Sequence, residues 1–168
     1  MTDVALVLCS GTLPAATPLL ERIEVAAQAG FDGLSLWGRD HEAAIAGGST
    51  DEALRSAFAT AGIGVAEVDG AWGWTPGAPA LGRGIDPFLD HDEASLFAIA
   101  EGLGGRSVNA VDIFGGDGTL AEMATAFGSL CDRAADHGLL VHLEALPWSR
   151  VPTVREAMAV VELSLIHI

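Results

Sequence analysis

The stretch Gly30-Phe31-Asp32-Gly33-Leu34-Ser35-Leu36-Trp37 sets the pattern from which the fold is read: a glycine where a helix ends, then a short, almost continuously apolar run. A run of this kind suits a strand buried on both faces, as strands of parallel sheets are. Four more such runs flank it, at Val4–Cys9, Ile63–Val68, Val108–Phe114 and Leu139–Leu146.

The segments between the runs carry helix signals. Thr17 is placed to cap a first helix with Pro18 at its first position, and Gly30 closes it. Ser49-x-x-Glu52, Thr119-x-x-Glu122 and Thr153-x-x-Glu156 have capping-box spacing. Leu120, Met123, Ala124, Phe127, Leu130, Cys131 and Ala134 recur at helical spacing, as do Leu96, Ile99, Ala100 and Leu103. Gly62, Gly104 and Gly138 stand where helices give way to strands.

The strands start near residues 4, 33, 63, 107 and 139. Most of these spacings match the roughly 30 residues of a βα unit. The longer one holds an insertion from Gly70 to His91, rich in Trp and Pro. Strict alternation of strand and helix means a parallel sheet, either an open doubly wound sheet or a barrel. A dinucleotide-binding sheet needs G-x-G-x-x-G after its first strand, and Cys9-Ser10-Gly11-Thr12-Leu13-Pro14 does not supply it. Polar residues gather instead at the C-terminal ends of the runs, where a barrel keeps its chemistry. The expected fold is therefore α/β, an incomplete (β/α)8 TIM barrel made of the first five βα units, since a whole barrel takes about 250 residues and this chain has 168.

Composition narrows the function classes. The formal net charge is -15, with no lysine, and such a surface repels nucleic-acid phosphates. No apolar run is long enough to cross a membrane and no signal peptide opens the chain, so a cytoplasmic protein is expected. Cys9 and Cys131 are far apart in apolar surroundings and are expected to be buried, reduced thiols. Residues 1–162 read as the N-terminal part of a single barrel domain. Leu163 to Ile168 resembles translated adapter sequence and reads as a non-native tail.

Gly30 to Trp37 and Leu139-Leu140-Val141-His142-Leu143-Glu144 resemble strands two and five of the sugar phosphate isomerase/epimerase family, the xylose isomerase-like barrels. Ser107-Val108-Asn109-Ala110-Val111-Asp112 is similar to its fourth strand. The resemblance implies a divalent metal (Mg2+, Mn2+ or Zn2+) with Glu144 as first ligand and proton shuttle. The other three ligands would come from strands six to eight, beyond this chain. A hard cation suits such oxygen-rich ligands and stabilises the enediolate formed when a proton leaves beside a carbonyl. The implied activity is isomerisation or epimerisation of a sugar, sugar phosphate or related small hydroxy-carbonyl compound. The family also holds dehydratases, and a non-catalytic barrel that binds a small molecule or partner is a further alternative. The family often has Glu on strand two where Ser35 stands here.

Beside the resemblance stands a plain reading of each residue. A buried carboxylate at Glu144 is costly without a partner, so it is either a ligand or half of an ion pair with Arg. His142, two residues earlier, shares its face and either orients Glu144 or is a core histidine. Glu67 and Asp69 share a face and either bind substrate hydroxyls or form a solvated strand end. Asn109 joins them as a candidate substrate contact. Trp72 and Trp148 either wall a pocket or pack loops. Gly115 to Thr119 precedes a helix and is a weak phosphate candidate, opposed by Asp117. Asp40 and His41 are expected in an exposed loop. The expected partner is a small-molecule substrate, with no nucleic acid and no membrane; a homo-oligomer of the complete barrel is compatible with the sequence. The five units alone are expected to be inactive and, with open strand edges, prone to associate.

Overall fold

The computed structural model describes residues 5–80, 84 and 86–165. The five apolar runs form five strands, β1 (Val7–Cys9), β2 (Gly33–Trp37), β3 (Gly64–Ala71), β4 (Ser107–Ala110) and β5 (Leu140–Leu143). They make one parallel sheet in the order β1-β2-β3-β4-β5. Sequential order without reversal separates a barrel from a doubly wound sheet, whose order switches direction. Crossovers of one hand then place every helix on the same face.

Among the described residues six α-helices follow the strands: α1 (Leu19–Gln28), α2 (Gly38–Ala46), α3 (Asp51–Ala61), α4 (Glu93–Leu103), α5 (Leu120–Asp136) and α6 (Val154–Leu165). Leu34, Leu36, Val68, Val108 and Ala110 point at them and are wholly buried. Ile23, Leu54, Leu96, Met123 and Leu130 meet them from the helices. Burying a side chain of this size contributes about 1.5–3 kcal/mol. The opposite face of the sheet carries Ser35, Glu67, Asp69, Asn109 and His142, which would line a barrel interior.

Several local expectations are corrected. α1 starts at Leu19 with Pro18 as its cap residue, and Thr17 makes no side-chain cap. Thr17 is held otherwise: its carbonyl accepts from the buried Arg22 guanidinium at 2.8 Å. Thr50, not Ser49, caps α3 by accepting from the Ala53 amide. The capping box at Thr119/Glu122 is present; at Thr153 the hydroxyl accepts from the Glu156 amide and donates to the Glu156 carboxylate. β4 is shorter than the run Val108–Phe114, and β5 shorter than Leu139–Leu146, because pairing ends where the polar loops begin. The proposed start of β1 at Val4 lies outside the described residues.

The segment expected as an exposed loop after β2 is the helix α2. Asp40 is buried on it, accepting from Ser10 Oγ at 2.7 Å and lying 3.9 Å from Arg22. His41 pairs with Asp51 at 2.6 Å rather than with Asp40. The apolar surroundings of the cysteines in sequence do not bury them: Cys9 is exposed at the end of β1, and Cys131 is half-buried. Burial and then Asp132 raise the Cys131 thiol above its ordinary pKa. α6 continues through residues 163–165, and Ser164 on it is buried, with its hydroxyl donating to the Val161 carbonyl. Residues 166–168 lie outside the described residues.

Candidate functional site

The inner face of the sheet ends in a cleft of about 440 Å³ at the C-terminal ends of the strands. Each strand contributes by alternation. In register across the sheet, Trp37 stands beside Asp69, Asp69 beside Asn109, and Asn109 beside His142. One level below, Cys9 stands beside Ser35 and Ser35 beside Glu67. The register skips Ala66 between Leu34 and Ser35, so Val65 packs toward the helices while Glu67 and Asp69, two residues apart, share the cleft face. Glu144, one residue past β5, closes the far wall, and its amide donates to the Ala110 carbonyl at 3.0 Å.

A polar network spans the cleft. Asn109 Nδ2 donates to Glu144 Oε2 at 2.8 Å. Asp69 is buried and interacts with the side chains of Asn109 and Ser35. Burial, and then the neighbouring Glu67 carboxylate, raise its pKa to about 6 against the hydrogen bonds from Asn109 and Ser35, with Glu144 adding to the rise. His142 Nδ1 lies 2.8 Å from Glu67 Oε2 at the rim.

Four residues singled out from the sequence, Glu67, Asp69, Asn109 and Glu144, therefore line one cleft. His142 touches it through Glu67 and pairs with Glu67 rather than Glu144. Trp72 is elsewhere. It is buried edge-on against Phe114 and lines a separate cavity beside His91. Trp148 is 69% exposed and lines no part of the cleft. Glu144 was expected to be buried and is exposed, because β5 is the edge of the sheet and nothing covers its outer side among the described residues.

The cleft also uses one aromatic residue the sequence did not single out. Phe88, from the long insertion, packs edge-on against Trp37 with ring centres 5.9 Å apart. Its only signal was an aromatic residue amid the polar and proline-rich text Asp86-Pro87-Phe88-Leu89-Asp90. Gly70 lets it approach, since a Cβ there would lie 2.8 Å from the Phe88 ring. Asp112, at the end of the β4 run, is wholly buried and binds Arg150 through both oxygens at 3.0 and 3.1 Å. Burial opposes its ionisation, but the hydrogen bonds and charge of Arg150 outweigh it and hold the carboxyl below its ordinary pKa. This pair ties the loop after β5 to the end of β4 and holds the turn that follows Glu144.

As a metal donor set the cleft is partial. Glu144 offers a hard carboxylate at a strand end, but no group of three or more His, Cys, Asp or Glu among the described residues is placed to hold an ion. A site at Glu144 would need ligands from further strand ends.

No family model and no curated protein matches the sequence. Solved structures do match, and they define the class: the fold is that of the xylose isomerase-like TIM barrels. The IolI protein with a bound zinc atom superimposes with a TM-score of 0.78 at 16% identity, over 96% of this chain and 59% of its own. A xylose isomerase domain protein from Salmonella typhimurium LT2 gives 0.76 at 12% identity, over 95% of this chain and 57% of its own. D-psicose 3-epimerase, solved in the presence of D-fructose, gives 0.65 at 14% identity, over 96% and 60%. At these identities the likeness is one of fold. The chain spans 57–60% of the length of these three structures. No helix among the described residues is long and apolar enough to cross a membrane.

Proposed function

We propose that these five βα units belong to a divalent-metal-dependent isomerase or epimerase that moves a proton beside the carbonyl of a small hydroxy-carbonyl compound. The observation that carries the reading is the cleft at the strand ends, where Asn109 holds Glu144 across from the buried Asp69. A divalent ion bound with Glu144 among its ligands would supply polarisation of the carbonyl. The chain's own residues supply the rest. Asn109 fixes the rotamer of Glu144, so its carboxylate is set before substrate arrives. Glu67 and Asp69 can accept hydrogen bonds from substrate hydroxyls. Asp69, with a pKa of about 6, can also take up and release a proton near neutral pH, as a general acid or base must. Trp37 and Phe88 give the cleft an apolar side.

The test is Glu144→Gln in the complete barrel. The expected result is loss of divalent-ion affinity and of solvent-deuterium exchange into a ketose substrate. A variant that keeps both would overturn the assignment.

A further inference from the structure

Glu144 stands past the edge strand, exposed, with no strand on its outer side among the described residues. A side chain so placed takes its position from whatever holds the backbone around it. Its own amide is fixed to the Ala110 carbonyl at 3.0 Å. The turn that follows closes on itself. The Leu146 amide donates to the Val151 carbonyl at 3.1 Å, and the Ser149 amide to the Leu146 carbonyl at 2.9 Å. Arg150 fastens that turn to the segment after β4. Its amide donates to Asp112 Oδ2 at 2.9 Å, and its guanidinium binds both oxygens of the same carboxylate. The short segment Ala110 to Asp112 therefore grips the chain twice, at Glu144 and again at Arg150. Both partners of the second grip are shielded from water: Asp112 is wholly buried and the Arg150 side chain is 8% exposed.

We propose that Arg150 is the positioning residue of Glu144: by clamping the turn to Asp112 it sets where the Glu144 carboxylate meets Asn109. Arg150 is not among the residues that line the cleft, so it acts on Glu144 without touching a ligand there. The weight given to Glu144 rests on the reaction proposed above; the link from Arg150 to Glu144 rests on these contacts alone. The role needs the fork of a guanidinium. Nε and Nη2 meet the two oxygens of Asp112, and Nη1 still reaches the Pro76 carbonyl at 3.0 Å, so the insertion after β3 is fastened at the same point. A lysine, with one nitrogen on a flexible stem, does not span these acceptors in a fixed geometry. Gly118 leaves room for the group, since a Cβ there would lie 2.9 Å from Nη1. Without the clamp, Glu144 keeps only its amide bond to Ala110 and the bond from Asn109, and every movement of the turn pulls on both.

Hydrogen exchange of the Asn109 side-chain amide, read by NMR in the 168-residue chain, reports its bond to Glu144. Two variants separate positioning from stability. Arg150→Met with Asp112→Leu removes both charges together, so no buried ion is left unpaired. Gly118→Ala keeps both charges and crowds Nη1. In the double variant the Asn109 amide should exchange about fivefold faster, the factor for loss of one hydrogen bond of ordinary net strength. Gly118→Ala should move it the same way by less. Leu54→Ala, a change in the buried core on α3, should leave the exchange as in the parent. Unchanged exchange in the double variant overturns the proposal, and so does an equal acceleration in Leu54→Ala, which would make the effect one of lost stability. If circular dichroism shows the double variant unfolded, unchanged exchange in Gly118→Ala overturns it in the same way. A complete barrel that turns over substrate normally with Glu144→Gln would sink the proposed reaction and leave the link from Arg150 to Glu144 standing.

Discussion

Asn109 stands in register between Asp69 on β3 and His142 on β5, and its Nδ2 donates to Glu144 Oε2 at 2.8 Å. One amide thus lies against two carboxylates, one on β3 and one just past β5. Replacing it with Leu removes hydrogen bonds that favour ionised Asp69, which now balance part of the cost of burial. The Asp69 carboxyl in Asn109→Leu should titrate above the present value of about 6. Carbon-13 NMR of the side-chain carboxyl reads this directly. An unchanged or lower value would mean that Asn109 does not support the charge.

Asp69 also makes stability depend on pH. Its folded pKa is about 6 against 3.8 for the free side chain, so the folded state binds its proton more tightly than the unfolded state does. Stability from this group is fully present below the unfolded value and is lost as pH rises through the folded one. The shift corresponds to about 3 kcal/mol between pH 4 and pH 7, to order of magnitude. Asp69→Asn removes this term, so the variant should gain stability relative to the parent as pH rises across that window. Urea midpoints at pH 4, 5, 6 and 7 measure it, and a constant offset between the two proteins would refute the sign.

Arg22 is 2% exposed and organises the turn after β1 by donating to the carbonyls of Ser10, Pro14, Ala15 and Thr17. Asp40, 3.9 Å away, is also buried. Arg22→Ala removes the counter-charge of that carboxylate, which keeps its bonds from Ser10 Oγ and the Trp37 amide, leaves several carbonyls unpaired, and should cost about 3–5 kcal/mol in denaturant unfolding. Arg22→Met with Asp40→Leu removes both charges together and should cost less than the sum of the single changes. Strict additivity in this cycle would show that the two side chains do not couple.

Gly38 opens α2 where His91, from the end of the insertion, packs on it. A Cβ at Gly38 would lie 2.5 Å from the His91 ring. His91 is itself buried and cannot step aside without moving the chain beside it. Gly38→Ala should therefore destabilise by about 1–3 kcal/mol. Because Phe88 lies three residues before His91, the substitution should also perturb the NMR signals of Trp37. A neutral substitution with unchanged Trp37 signals would contradict the packing.

Much of the fold was legible because it is written locally. An apolar run, a capping residue and a glycine at a helix end act within a few residues, so the order of βα units follows from the text. Gly33–Trp37 is a strand with the boundaries read from the sequence, the box at Thr119 forms as its spacing requires, and the Thr153 hydroxyl caps the Glu156 amide. α2 escaped because Gly38-Arg39-Asp40-His41 carries few apolar residues, and the helix is anchored by one buried Asp instead of an apolar stripe.

The sequence by itself determined that strands and helices alternate, that the strands run parallel, and that carboxylates collect at their C-terminal ends. Tertiary structure decided which side chains meet. Asn109 and Glu144 are 35 residues apart, and Glu67 and His142 are 75. Such pairs depend on register, and a shift of one residue turns every side chain of a strand to the other face. The extra residues Ala66 and Gly70, which interrupt the register of β3 with its neighbours, leave no local trace in the text. Position in the sheet likewise decided that Asp69, on a central strand, is buried with a pKa of about 6, while Glu144, past the edge strand, stays exposed.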